Sequence, residues 1–158
     1  MTDLSFSKIQ EKLDSSSRQL PKLKLAVLRN FVLEPIEPYL KYFAILSGWN
    51  LELFWGNYDQ ILQDSLDDNS SILIDDLDFI FVFQKLETLN PRIVNDFTSL
   101  SNTEVEEESH LILARQKEVF RNISKRTNAS IICNYFELPI YPAWGIRDSQ
   151  IDNGQTES

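Results

Sequence analysis

Groups able to do covalent chemistry are scarce in this chain: one histidine, His110, and one cysteine, Cys133, among 158 residues. A serine, cysteine or threonine nucleophile needs a base beside it, most often histidine. His110 falls in a stretch of helical periodicity, and at about 100° per residue it lies roughly 120° from the centre of the apolar stripe. That position is the solvent flank, where a histidine is ordinary surface. Cys133 closes the apolar run SIIC and reads as a packed thiol. Asp75, Asp76 and Asp78 form the third candidate, an acidic group of the kind that can hold Mg²⁺. They precede the apolar run FIFVF, whereas ligands of parallel sheets bind past the strand ends. With four glycines and no Walker loop, GxGxxG, zinc spacing or GxSxG, the sequence carries no phosphate-cradling or metal motif. No catalytic residue, metal ligand or cofactor is assigned to the chain.

Such groups act only where the fold puts them. Lys22–Leu28, Leu51–Trp55, Phe79–Phe83 and Ser130–Cys133 read as strands. The first and third are nearly continuous apolar runs, the pattern of a strand buried on both faces, and FIFVF is expected in the middle of the sheet. Leu4, Phe6, Ile9 and Leu13 suggest a lead-in helix. Pro35 opens the next helix, with Ile36, Tyr39, Leu40, Phe43 and Leu46 as its inner face and Gly48 as its stop. Tyr58, Ile61, Leu62, Ser65 and Leu66 recur at helical spacing. Pro91 starts a helix carrying Ile93, Val94, Phe97 and Leu100. The longest runs from about Thr103 to Lys125, with Val105, Ser109, Ile112, Leu113, Gln116, Val119, Phe120 and Ile123 inward and charges that suit its dipole. Strands alternating with helices require long crossovers and therefore parallel pairing. The expectation is a three-layer α/β/α sandwich with a parallel sheet of at least four strands. Residues 1–18 are a lead-in helix, 19–148 the α/β domain and 149–158 a tail too polar to supply a fifth strand.

A net charge of −9 and a pI near 4.6 repel phosphate backbones and anionic lipid, so neither nucleic acid nor a membrane is expected as partner. One cysteine, no leader-like apolar segment and no membrane-length run point to the cytoplasm. A ligand- or partner-binding cleft is expected where the strands end, lined by Arg29, Asn30, Phe31, Glu34, Gly56, Asn57, Tyr58 and Asn134. Asp59, Gln84, Lys85, Glu87, Tyr135, Phe136 and Glu137 also follow strands. The competing reading is that Asn30, Asn57 and Asp59 cap the helices that follow. An exposed edge strand would allow a homodimer.

Three blocks carry a family resemblance: LKLAVLRNFVLEPIEPYLKYFAILSGWNLELFWGNYDQILQDSL, LDFIFVFQKLETLNPRIVNDF and IICNYFELPIYPAWGIRDSQ. Together they resemble the N-terminal domain of FkbH-like proteins over roughly residues 20–150. The resemblance implies an SGNH-hydrolase-like domain of flavodoxin-type topology, followed in the family by a haloacid-dehalogenase-like domain. That second domain, with its catalytic aspartate and Mg²⁺, is not in this sequence, so the chain looks shortened at its C-terminus. The family dephosphorylates a bisphosphoglycerate and loads the glyceryl group onto an acyl carrier protein in polyketide and related pathways.

Carried over by position, Asn30 stands where the SGNH serine would be and Gly56 matches the glycine after the second strand. Gln84–Glu87 holds no asparagine, and the histidine block would lie beyond residue 158. The expected role is a non-catalytic domain that binds or positions the carrier protein or the partner catalytic domain. A degenerate acyl hydrolase or transferase is the alternative. A receiver-like regulatory module is the third reading, weakened because Asn30 and Gln84–Lys85 replace the aspartates it needs.

Overall fold

Lys22–Arg29 (β1) is the spine of the sheet, because five successive residues from Leu25 are buried and a parallel strand lies on each side. The computed structural model describes residues 9–11, 13, 20–68, 70, 72–74, 76–137, 142–150 and 154–155. Asn50–Trp55 (β2) lies on one side of β1 and Phe79–Phe83 (β3) on the other. Ser130–Cys133 (β4) completes the order β2-β1-β3-β4, parallel throughout. The winding reverses between β1 and β3, which makes their carboxyl ends the natural ligand crevice.

Strand parity divides the core. Ala26, Leu28, Ile80 and Val82 point to one face, where they meet Ile61, Val119 and Ile123. Leu25, Val27 and Leu51 point to the other, against Leu40 and Ala44. The first face is covered by Ile61–Leu66 (α2) and Asn102–Arg126 (α5), the second by Glu37–Leu46 (α1). This is a three-layer α/β/α arrangement. Leu28, Ile80 and Ile123 are fully buried, each contributing about 1.5–3 kcal/mol over the exposed state.

Two short helices, Leu86–Leu89 (α3) and Pro91–Asn95 (α4), follow β3. At 1.5 Å per residue α5 is about 37 Å long, roughly twice the length of the strands it covers. Its second half packs on the sheet. Its first half continues past the strand ends, where Val105 and Ile112 join Ile93 and Phe97 in a second core. A capping box between Ser101 and Glu104 fixes where α5 begins, and Lys125 and Arg126 meet the negative end of its dipole.

Strand limits agree with the sequence pattern to within one residue. Several faces do not. Pro35 and Ile36 belong to a 3-10 turn, Glu34–Ile36, ahead of α1, and Ile36 is exposed; Tyr39, Phe43 and Leu46 lie on the exposed side of α1, while Leu40 and Ala44 face the sheet and Ile45 is buried. The helix is apolar nearly all round, so periodicity could not choose its buried side. Leu113 is likewise 53% exposed. The helix begun at Pro91 ends at Asn95, and Phe97–Ser99 forms a separate 3-10 turn. Cys133 is exposed rather than packed, because β4 is an edge strand with little cover.

Residues 9–11 and 13 are helical and Ile9 is fully buried; the rest of the expected lead-in helix, and Asp75, lie outside the described residues. In the segment expected as a polar tail, Gln155 donates to Val94 O (3.1 Å) and accepts from Ala143 N (2.8 Å). Among the described residues, no helix is long and apolar enough to cross a membrane.

Candidate functional site

Two asparagines organise the crevice. Asn30, only 2% exposed, follows β1. Its Oδ1 accepts from Lys85 N (2.7 Å) and its Nδ2 donates to Lys85 O (3.1 Å). Asn134, after β4, treats the neighbouring residue in the same way: Oδ1 accepts from Gln84 N (2.8 Å) and Nδ2 donates to Gln84 O (2.9 Å). Side-chain amides thus replace strand backbone on both sides of β3, extending the ladder past its last residue. Such groups matter because buried backbone N–H and C=O must find partners. Both amides are committed to the frame.

Arg29 is the second organiser. Its parity turns it to the α1 side, where the guanidinium stands 5.1 Å over the Trp55 ring. One terminal nitrogen donates to Gly56 O and the other to a Glu34 carboxylate oxygen. The buried Nε has no partner. The Arg29 bond holds the Glu34 carboxyl well below its usual 4.5, at about 2, with backbone donors at Glu34 and Leu33 assisting.

A third anchor is Asp64, on the buried side of α2 and 6% exposed. Its carboxylate accepts from Asn57 N (2.9 Å) and Asn57 Nδ2 (3.0 Å). Gly56 threads between Asp64 and β1: a β-carbon there would stand 2.7 Å from Leu28 Cδ2 and 2.9 Å from Asp64 Oδ2.

The sequence-derived cleft therefore divides in two. Arg29, Glu34, Gly56 and Asn57 form one connected group at the β1–β2 end, with Tyr58 exposed beside Asn57. Asn30, Phe31 and Asn134 belong to the β1–β3–β4 end. None of the expected caps forms there. Asn57 is bound to Asp64, Asn30 to Lys85, and Asp59 occupies a left-handed turn (φ 56°) ahead of Gln60, the residue that precedes α2.

At the β1–β3–β4 end, Phe31, Gln84, Lys85, Leu86, Glu87, Asn134 and Glu137 line a pocket of about 30 Å³. That volume holds a water or two, far below the roughly 300 Å³ at which small-molecule sites begin. The Lys85 ammonium stands 5.6 Å from the Phe31 ring centre. Gln84, 5% exposed, receives Gln116 Nε2 from α5 on its side-chain oxygen. A larger cleft of about 310 Å³, lined by Gln10, Leu13, Lys41, Ile45, Asn50 and Leu51, is at the opposite end of the sheet.

Gln84, Lys85, Glu87 and Glu137, whose strand-exit positions mark them in the sequence as places to look for a site, line the smaller pocket. Asp64 gave a fainter signal, a carboxylate three residues after the apolar Ile61 on a short helix. His110 is exposed on α5. Asp76 and Asp78 are engaged at the start of β3: Asp76 pairs with the Lys24 ammonium, and Asp78 accepts from Lys24 N (2.8 Å). Among the described residues no three acidic, cysteine or histidine side chains converge as a metal site would need.

No family model matches the chain, and no curated protein matches it. Among solved structures it is similar to the N-terminal part of the protein BF1531 from Bacteroides fragilis, a structure containing a phosphatase domain and complexed with Mg. The TM-score is 0.68 at 16% identity, covering 98% of this chain and 38% of that one. At that identity the likeness establishes the fold. The chain spans about two-fifths of that neighbour's length.

Proposed function

We propose that this chain is a non-catalytic domain of the FkbH-like, SGNH-related type, which binds or positions a macromolecular partner at the carboxyl ends of its strands. The observation that carries the reading is the commitment of the crevice's polar groups to the frame. Asn30 and Asn134 hold β3, Arg29 holds Glu34 and Gly56, and Asp64 holds Asn57. A hydrolase needs a free nucleophile beside a base and room for a substrate. A pocket of about 30 Å³ offers no such room.

What remains outward is a rim suited to surface recognition: the Lys85 cation over Phe31, the Glu87 and Glu137 carboxylates, and Tyr135, 97% exposed. The partner on this reading is an acyl carrier protein that receives a glyceryl unit, or the haloacid-dehalogenase-like domain that forms it. The shared fold with the N-terminal part of a phosphatase-containing protein supports that context. No Mg²⁺ would be held by this chain itself.

Titrating the chain with a holo acyl carrier protein, and separately with a haloacid-dehalogenase-like phosphatase domain, tests the reading by amide chemical shifts. The expected result is movement at Phe31, Lys85, Glu87, Asn134 and Tyr135 with one of the two. If neither partner moves any of these amides, the positioning role is lost.

A further inference from the structure

Arg29 is the one buried cation among the described residues. Its side chain is 7% exposed, whereas that of Glu34, its ion-pair partner, is 46% exposed. Stability alone explains a buried charge poorly, because well-packed apolar side chains of similar volume often serve as well. A guanidinium presents its Nε–H and one terminal N–H side by side, an edge that matches two oxygens of a carboxylate or phosphate. In Arg29 that edge is Nε with Nη2, and Glu34 uses half of it. Glu34 Oε1 accepts from Nη2, Oε2 turns back to Leu33 N (3.0 Å), and the buried Nε has no partner. The remaining nitrogen, Nη1, is engaged by Gly56 O, and the Trp55 ring backs the guanidinium at 5.1 Å. Glu34 reaches in from a 3-10 turn, Glu34–Ile36, that contains no buried residue, so its side chain can turn away without uncovering the core.

We propose that Arg29 is an oxyanion-binding residue at the carboxyl ends of β1 and β2, and that Glu34 is the internal carboxylate that fills its place until a ligand takes it. The ligand class is a small molecule bearing a carboxylate or phosphate group. Glu34 itself defines that chemistry, since the guanidinium already holds a carboxylate oxygen. An untethered oxyanion engages Nη2 and Nε together, adding a charge-assisted hydrogen bond that Glu34 does not make. The position is the strand-end crevice where sheets of this kind bind ligands. With a net charge of −9 the surface as a whole repels anions, so binding is weak and depends on this edge of Arg29. The site is separate from the rim at Phe31, Lys85 and Tyr135, and the partner reading above does not depend on it.

Inorganic phosphate and acetate, each titrated into the unsubstituted chain against chloride at matched ionic strength, test the site by amide and guanidinium NMR. The Arg29 Nε–H signal should shift as it gains an acceptor, and the Leu33 amide should shift as it loses Glu34 Oε2. Both should saturate in the millimolar range, and the tighter of the two probes identifies the oxyanion. Glu34→Gln and Glu34→Ala remove the competing charge and should tighten binding about tenfold or more. Adding Arg29→Met to Glu34→Ala should abolish the response, and the unsubstituted chain keeps the test decisive if that double variant does not fold. Signals indifferent to both anions, an equal response to chloride, or binding no tighter in the Glu34 variants would each overturn the proposal.

Discussion

Replacing Asn30 by alanine tests whether the amide clasp holds the crevice. Two hydrogen bonds disappear, at 2.7 and 3.1 Å, and both reach the backbone of one residue, Lys85. A hydrogen bond contributes about 1 kcal/mol net, but a partly buried N–H or C=O left unpaired costs about 1–3 kcal/mol. With Asn30 2% exposed, water cannot easily take its place. The expected loss is therefore about 2–4 kcal/mol, which for a chain of this size lowers Tm by roughly 5–15 °C. Asn134 makes the equivalent pair to Gln84 but is only half-buried. Its alanine variant should lose less, about 1–2 kcal/mol. Asn30→Asp keeps an acceptor for Lys85 N but turns an oxygen toward Lys85 O, so it should lose at least as much as alanine. Urea unfolding with unchanged m-values provides the assay, with amide exchange at Lys85 as the local readout. A loss below about 0.5 kcal/mol for Asn30→Ala, or an unchanged Lys85 exchange rate, would refute the clasp.

Gly56→Ala should be strongly destabilising, since its β-carbon would press on Leu28 and Asp64 at under 3 Å; thermal melting checks it, and a near-native Tm would contradict the close approach. Glu34, depressed from 4.5 to about 2, contributes stability that is complete above the unfolded value and lost as pH falls from about 4.5 toward 2. Glu34→Gln should therefore flatten part of that acid limb in pH-dependent unfolding, and an unaltered limb would count against the Arg29 pairing. Asn30→Ser puts a hydroxyl after β1, yet should yield no ester hydrolysis with p-nitrophenyl acetate, because the sole histidine, His110, is exposed on α5. Measurable turnover that Asn30→Ala lacks would reopen the enzymatic reading.

The strands were legible because buried parallel strands are written as apolar runs, and KLKLAVL and FIFVF admit little else. Helix faces were less legible where the signal is degenerate. Around α1, Tyr39, Phe43 and Leu46 compete with Leu40 and Ala44, and only the sheet decides between them. Cys133 failed for a related reason. A short apolar run reads alike in a central strand and at an edge, and neighbours alone set its exposure. At the crevice, strand-end logic located Arg29, Asn30 and Asn134 but not their tasks. Whether an asparagine caps a helix, contacts a ligand or clasps a strand depends on which backbone lies opposite. That backbone, at Gln84 and Lys85, comes from about fifty residues away.

The overhang of α5 has a dynamic consequence. One continuous helix belongs to two cores, with Val119 and Ile123 in the sheet's and Val105 and Ile112 in the smaller one formed with α4. The smaller core contains few buried side chains and should open at lower free energy, so the first turns of α5 would exchange their amides before the last. Arg126, bound to the Asp64 carbonyl, pins the far end. The helix would then melt from the crevice end inward, leaving the sheet intact while the walls around Lys85 and Glu87 loosen.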